Sequence, residues 1–380
     1  MRTVRVAMFV TVIACSIWPA AAQDTNLLNA QRLRAAQAAR ESYREQLNEN
    51  VLFIMGGQPG TSYVNVTNDM AQVVNDGLRL RLLPVLGNAA AQNIGDLIFL
   101  RGVDLALTTT QVLDLLRDSN QYGPNLDRQL VYIAPLANEE MHVLARPGIN
   151  AIEELQGKVV SFDSAGSATA LLGPKIFSEL KIEVQGRYLQ QVDALQAMRS
   201  GSVDATVCIC AKPLNFISQL GGQSGFKLLE VPFIESLRNT YLPASLTPED
   251  YGQLLGKGTK VETIATTMAL VSFNWPKASP RYARTARFVD ALFSKFGELQ
   301  RPPRHPSWQS VNIAAAVPGW QRFGAAQEWL DRNVQPTASL RASFNKVMSE
   351  NAGLKAGAPG SIDSEKLFRE FMDFMRKEPN

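Results

Sequence analysis

Four short segments, each at the end of an apolar run, carry side chains suited to binding a small molecule. They span residues 56–62, 108–111, 164–169 and 208–212. Glycine lets a ligand approach the backbone, hydroxyls donate and accept hydrogen bonds, and N–H groups at a helix start attract an anion. The candidate ligand-binding residues are Gly57, Gly60, Thr61, Ser62, Tyr63, Thr109, Ser164, Gly166, Ser167, Thr169, Cys208 and Lys212.

The same residue types also have ordinary structural roles. Ser, Thr and Gly are the usual helix caps and turn residues, so the binding interpretation depends on all four segments meeting in space. Lys212 can complement an anionic ligand or simply start a helix with the proline that follows it. Cys208 and Cys210 point to the same side of a predicted strand, where core packing is the simpler role and exposure at a cleft wall is the alternative.

The chain lacks the residue patterns of the common catalytic and metal sites. The segment around Gly57 is not followed by the Gly-Lys-Ser/Thr of a phosphate loop, and no Gly-x-Ser-x-Gly motif occurs. His142 and His305 are the only histidines, and none of the four segments holds paired acids for general acid–base catalysis. Bridging two cysteines that lie two apart in a strand needs strained geometry, so no disulfide framework is expected. We therefore expect a protein that is not an enzyme and that uses no metal or cofactor.

Apolar runs alternate with amphipathic segments through most of the chain. Strands are predicted at 51–55, 80–86, 103–107, 158–162, 187–189 and 203–209, with helices between them. Alternating strands and helices specify an α/β fold with parallel sheets covered on both faces. Because ligands bind beyond the carboxyl ends of such strands, the four polar segments are expected to face one cleft.

Two junctions of the chain resemble each other. Residues 100–106 and 199–205 both contain the end of a helix, a glycine that can close it in a left-handed conformation, a valine, an aspartate and the start of a strand. A single copy would be an ordinary helix–strand junction, but two copies followed by polar loops predict two α/β lobes of similar connectivity.

Two apolar stretches, 141–146 and 262–273, are expected to cross between the lobes, with a hinge near Ala145-Arg146 and Ile264-Ala265. The first lobe would then comprise 51–145 and 263–335, including helices at 280–299 and 320–333, and the second lobe 146–262.

The N-terminus has the features of a secretory signal peptide, residues 1–22. Two arginines precede an apolar stretch at 6–17, and small residues at 19–22 allow cleavage after Ala22. A lipoprotein site at Cys15 is the less favoured alternative. A helix is expected over 26–49, within an N-terminal segment 23–50, and a helical extension over 336–380 that packs back on the body or docks a partner. The net charge of +3 does not indicate a nucleic-acid partner.

Several motifs carry a family resemblance over about residues 51–333. They are Glu140-Met141-His142-Val143-Leu144-Ala145-Arg146, Ile152-Glu153-Glu154-Leu155-Gln156-Gly157-Lys158-Val159-Val160, Gly166-Ser167-Ala168-Thr169, Gly201-Ser202-Val203-Asp204-Ala205, the opening segment from Gly56 to Tyr63 and, more weakly, Val317-Pro318-Gly319-Trp320. In these the chain resembles the TAXI-type solute-binding subunits of tripartite ATP-independent periplasmic (TRAP) transporters. Ala168 stands where the family's turn has a second glycine.

The resemblance implies a type II periplasmic-binding-protein fold with two doubly wound sheets. It also implies capture of a small organic acid or amino acid in the interlobe cleft and delivery to membrane permease subunits. Two alternatives remain open. The protein could serve an ABC importer or a sensor, or it could bind a protein partner through its terminal helices without catalysis.

Overall fold

The structure is a computed structural model that describes residues 20–58, 61–87 and 90–333, with side chains from residue 27 onward except that of Gln223. The chain divides into two compact units at Asn50. The first unit contains the long helix α1 (Ala20–Asn50), which confirms the helix predicted over 26–49. Most of the signal peptide, all of the segment 336–380 and the candidate Gly60 lie outside the described residues.

The second unit is a mixed α/β structure. Its strands are β1 (Val51–Met55), β2 (Arg81–Val85), β3 (Val103–Thr109), β4 (Leu130–Ala145), β5 (Val159–Ser161), β6 (Gln185–Arg187), β7 (Ala205–Cys210), β8 (Lys227–Leu229), β9 (Leu242–Leu246) and β10 (Val261–Phe273). Its helices are α2 (Ser62–Val74), α3 (Ala90–Phe99), α4 (Thr110–Ser119), α5 (Leu126–Gln129), α6 (Ala168–Glu179), α7 (Gln191–Arg199), α8 (Asn215–Ser218), α9 (Glu235–Arg238), α10 (Pro248–Tyr251), α11 (Pro280–Ser294), α12 (Phe296–Leu299) and α13 (Gly324–Asn333). Within the described residues, no helix is both long enough and apolar enough to cross a membrane.

The strand order confirms the predicted duplication. The hydrogen-bonded path is β2-β1-β3-β10-β4-β7-β5-β6, with β8 added to β4 and β9 added to β10. In the first half, β1 is parallel to β2 and β3, and β10 runs antiparallel to β3. In the second half, β5 is parallel to β6 and β7, and β4 runs antiparallel to β7. The predicted fold class is therefore present, with its two half-sheets joined edge to edge through two long shared strands.

The two long strands change neighbours at the point where the halves meet. Strand β4 pairs with β10 up to Glu140 and with β7 from Glu140 onward. Strand β10 pairs with β9 up to Ala265 and with β3 from Met268 onward. On β10, the change of neighbouring strand occurs at the predicted hinge near Ala265. On β4, it occurs at Glu140, five residues before the predicted hinge residue Ala145. The lobe boundaries given above stay predictions.

The similarity between the two junctions has a physical cause. Gly102 and Gly201 have φ values of +94° and +80°, in the left-handed region that glycine adopts at little cost. The aspartate two residues later binds the first strand of its own half. Asp104 Oδ2 accepts a hydrogen bond from the Phe53 backbone N–H (3.1 Å). Asp204 Oδ2 accepts one from the Val159 N–H (2.9 Å).

Each of these carboxylates also pairs with an arginine. Arg284 Nη2 lies 2.7 Å from Asp104 Oδ1, and Arg146 Nη2 lies 2.6 Å from Asp204 Oδ1. The repeated sequence therefore encodes the same strand-to-strand connection in both halves.

Candidate functional site

A polar cleft lies where the first strands of the two half-sheets end. About 450 Å³ of space, part of it open to solvent, lies between its walls. The described residues that line it are Gly57, Gln58, Thr61, Ser62, Tyr63, Ala90, Glu139, Asp163, Ser164, Ser167, Ala168, Thr169, Ile209 and Cys210. They come from the loops after β1 and β5, the starts of α2, α3 and α6, the middle of β4 and the end of β7. Carboxyl ends of topologically equivalent strands thus face each other, as the parallel-sheet rule requires.

The structure brings seven of the twelve predicted site residues together in this cleft. They are Gly57, Thr61, Ser62, Tyr63, Ser164, Ser167 and Thr169. Some of their hydroxyls already have structural partners. Ser167 Oγ accepts a hydrogen bond from the Ala170 backbone N–H (3.0 Å) and so caps α6, and Thr169 Oγ1 accepts one from the Ile209 N–H (2.8 Å). Ser167 and Thr169 therefore hold the local structure in place and also form part of the cleft wall.

Three other predicted residues lie outside the lining because of local structural roles. Thr109 is fully buried, and its hydroxyl accepts the Val112 N–H (3.1 Å) as the N-cap of α4. Gly166 has a φ of +82° and supplies the left-handed turn before α6. The Lys212 ammonium donates to Ser245 O (2.7 Å) and Asp250 Oδ2 (2.9 Å), so it is engaged within the second half instead of in the cleft.

Cys208 and Cys210, whose redox state the sequence left open, form a disulfide. Alternate residues of a strand point to one face, which brings the two sulfur atoms together. Cys208 is buried in the core, while Cys210 reaches the cleft wall. The pair therefore connects the end of β7 to the edge of the site.

Glu139 is the residue that sequence reasoning missed. It is only 1% exposed, yet it lines the cleft, and the Tyr63 hydroxyl donates a hydrogen bond to its Oε2 (3.2 Å). Burial raises the pKa of the Glu139 carboxyl well above its usual range, and the neighbouring Glu140 raises it further. Two consecutive acids in a strand that is otherwise apolar were a usable signal, because unpaired charges are rarely buried without a function.

Asp163 is a second carboxyl in the cleft. It follows β5 with a φ of +58°, in the left-handed region. Burial raises its pKa to about 6, although hydrogen bonds from the Ser164 backbone and from the Gln191 and Ser167 side chains act in the opposite direction. The carboxyl is therefore held in position by the loop that carries it.

Helix starts supply positive potential to the same space. Helices α2 and α6 begin at Ser62 and Ala168, both of which line the cleft. The N-cap of α2, Thr61, makes no side-chain capping bond, and its hydroxyl donates instead to Gln58 O (2.7 Å). Unsatisfied N–H groups and the helix dipole favour a negative group at such a position. In contrast, no Lys, Arg or His stands among the lining residues that the structure describes.

A second buried polar network lies on the opposite face of β4. Glu140 Oε2 accepts a hydrogen bond from the Lys212 backbone N–H (3.3 Å), and burial raises the pKa of Glu140 to about 7. His142 Nε2 lies 2.8 Å from the Tyr251 hydroxyl, which accepts the Leu214 N–H. Burial lowers the pKa of His142 to about 4. These contacts fix β4 within the second half and give His142 a structural role.

Within the described part of the chain, no three Asp, Glu, Cys or His residues lie close enough together to hold a metal ion.

Comparison with solved structures gives distant similarities. The periplasmic binding protein BugD is 14% identical, with 78% of this chain and 97% of that chain covered and a TM-score of 0.47. The aliphatic sulphonate binding protein SsuA from Escherichia coli is 18% identical, with 83% and 91% covered and a TM-score of 0.39. PhnD1 from Prochlorococcus marinus, solved with methylphosphonate, is 10% identical, with 64% and 84% covered and a TM-score of 0.42.

No curated protein matches the chain. A sequence-family comparison is more informative, since one family matches residues 54–285, a region that holds every described residue of the cleft. By that match, the protein belongs to the NMT1-like family.

Proposed function

We propose that the protein is an extracytoplasmic solute-binding receptor that captures a small organic acid or amino acid and delivers it to a TRAP-type membrane permease. The observation that carries this proposal is the polar cleft, which receives equivalent loops from two half-sheets of the same topology. A concave site with a few convergent polar groups is typical of small-molecule binding.

Binding would stabilise a closed arrangement of the two halves, because only that arrangement lets one ligand contact both sets of loops. The strands offer a place for bending where β4 and β10 exchange neighbours, near Glu140 and Ala265. Outside the cleft lining, a hydrogen bond joins the start of α4 in the first half to the segment before β9, from Gln111 Nε2 to Thr240 O (2.6 Å). Opening would break this bond, so it contributes to the balance between open and closed states.

The cellular part of the proposal rests on the sequence. The predicted signal peptide at 1–22 supports export to the periplasm, and the motifs of the TAXI-type subunits support delivery to a TRAP permease. The cleft offers hydrogen bonds and positive helix ends without a nucleophile–base pair among its described lining residues, which supports binding without turnover.

Thermal unfolding of the mature protein, refolded from denaturant to remove bound solute, tests the receptor function against a panel of organic acids and amino acids. A ligand at about 100 times its Kd adds roughly 2.7 kcal/mol to the free energy of unfolding and raises Tm visibly. Spin labels on the two halves then report closure as a shorter distance with ligand. A folded protein that binds no member of a broad panel would contradict the receptor function.

TRAP delivery needs its own test. We expect ligand-loaded receptor, reconstituted with a TRAP permease encoded beside it, to support uptake into vesicles. Uptake supported instead by an ABC importer would redirect the proposal to that system.

A further inference from the structure

We infer that Glu139 is the specificity-determining residue of the cleft and that it binds a primary amine of the solute, whose anionic group faces the helix starts. This inference rests on the proposed receptor function and restricts its ligand to small molecules that carry both an amine and an acid group.

The first argument is the hydrogen bonding of Glu139. Its Oε2 accepts the Tyr63 hydroxyl, whereas Oε1 has no hydrogen-bond partner among the described residues. The side chain is nearly inaccessible and yet lines the cleft. A carboxyl oxygen that opens only to the cleft can accept a further hydrogen bond there, and a carboxylate held away from bulk water gains more from such a bond than a neutral group does. A donor from the solute would supply this bond.

The second argument is that the other cleft carboxyl is already engaged. The Ser164 backbone and the Gln191 and Ser167 side chains all act to lower the pKa of Asp163, against the effect of its burial. For Glu139 the Tyr63 hydroxyl alone acts in this way.

The third argument is the lack of a competing cation. Lys212, the expected cationic candidate, is bound to Ser245 and Asp250, and Arg146 is bound to Asp204. None of the described lining residues is basic. An ammonium group of the ligand would supply the positive charge that lets Glu139 ionise in the cleft, together with hydrogen-bond donors.

The opposite end of the ligand follows from the helix starts. Helices α2 and α6 both begin in the cleft, and their N–H groups favour a carboxylate or another anion. A solute with an ammonium group at Glu139 and an anionic group near Ser62 or Ala168 would match the carboxylate at one end and the positive helix N-termini at the other.

Matched sets of ligands test the inference on the full mature protein by calorimetry. Each set has an amino acid and its deaminated acid: L-aspartate with succinate, L-leucine with isocaproate, and L-phenylalanine with hydrocinnamate. The last two sets also contain the decarboxylated amine, isoamylamine or phenethylamine. In the set that binds, we expect the amino acid to bind at least tenfold more tightly than the deaminated acid.

The variant Glu139→Gln keeps the size of the side chain and removes its charge. We expect it to weaken amino-acid binding about 10- to 100-fold, since hydrogen bonds to charged groups are the strong ones. Glu153→Gln is the control, because Glu153 is exposed and lies outside the cleft lining. It should bind the amino acid like the wild type.

The outcomes separate the two proposals. If a deaminated acid binds as tightly as its amino acid, or if Glu139→Gln binds as well as the wild type, the amine assignment is wrong and the receptor function stands. Affinity for succinate that falls as the pH rises in the wild type but not in Glu139→Gln would identify Glu139, and not Asp163, as a protonated donor to an anion and would also overturn the assignment. If no organic acid, amino acid or amine binds, the receptor function itself fails. The wild-type comparison decides the question even if the variant does not fold.

Discussion

The Tyr63 hydroxyl donates a hydrogen bond to Glu139 Oε2 across 3.2 Å, although the two residues are 76 positions apart in the sequence. The bond connects the first turn of α2 to the middle of β4. Burial, with Glu139 close by, raises the pKa of Tyr63 well above its usual value, so the phenol stays protonated and remains a donor. This hydrogen bond thus joins Tyr63, which the sequence analysis named as a candidate binding residue, to Glu139, which it did not name.

We expect Tyr63→Phe to lower the free energy of unfolding by about 1–3 kcal/mol, because it leaves a buried carboxyl without its donor. Denaturant unfolding of variant and wild type measures the difference. Tyr188→Phe is the control, since Tyr188 is 52% exposed and should change stability by less than about 0.5 kcal/mol. Equal effects of the two changes would show that the Tyr63–Glu139 bond contributes nothing.

Gly57→Ala should damage the cleft. A Cβ at this position would collide with Thr61 Oγ1 and would lie 2.8 Å from Tyr63 Cβ, two residues that line the site. We expect at least a tenfold loss of affinity for the solute identified by thermal unfolding. Gly102→Ala is the contrast: nothing lies within 4 Å of its Cβ, so it should cost only about 1 kcal/mol of stability through its positive φ and leave affinity unchanged.

Gln111→Ala should shift the protein toward the open state. The Gln111–Thr240 hydrogen bond joins the two halves, and a net contribution of about 1 kcal/mol corresponds to a roughly fivefold change in Kd. Calorimetry measures the affinity, and spin labels across the cleft measure the longer mean distance in the free protein. Unchanged distance distributions would mean that this bond does not control closure.

Glu140 should make stability depend on pH. Its folded pKa of about 7 lies above the unfolded value of 4.5, so the folded state binds more protons between these values. Its stabilising contribution is complete below about pH 4.5 and is lost as the pH rises through 7. His142, whose pKa falls to about 4, gives the opposite slope, and Lys212 and Asp250 face the same network.

Relative to the wild type, the free energy of unfolding of Glu140→Gln should therefore rise by about 3 kcal/mol between pH 4.5 and pH 8. Urea unfolding at a series of pH values measures this difference, and the exposed Glu153→Gln is the control. A constant difference between Glu140→Gln and wild type across the series would contradict the assignment.

The repeated junctions predict a pair of related effects. Asp104 is 1% exposed and Asp204 is 8% exposed, and each accepts a strand N–H while it pairs with an arginine. Breaking the more buried ion pair costs more, so Asp104→Asn should destabilise by about 3 kcal/mol and Asp204→Asn by roughly 1–2 kcal/mol. Thermal unfolding gives the order, and the reverse order would show that burial does not decide the cost.

Much of the framework could be predicted because local patterns determine it. Gly102 and Gly201 occur where helices must end in a left-handed residue, and strand and helix alternation specifies the parallel half-sheets. The rule that ligands bind beyond carboxyl strand ends then brought Thr61, Ser62 and Ser167 to one cleft. The match to the NMT1-like family covers residues 54–285, which include these cleft residues.

Other features depended on tertiary structure. Both faces of β4 are buried, so alternation of polar and apolar residues could not tell which of Glu139 and Glu140 faces the cleft. The register of β4 against β7 and β10 decides it, and a shift of one residue would exchange them. Likewise, the sequence predicted that Lys212 lies just after β7, but only the position of Asp250, 38 residues later, decided where its ammonium points. The strands and helices themselves follow from local periodicity, whereas the strand order and the side-chain partners follow from contacts between residues that are distant in the chain.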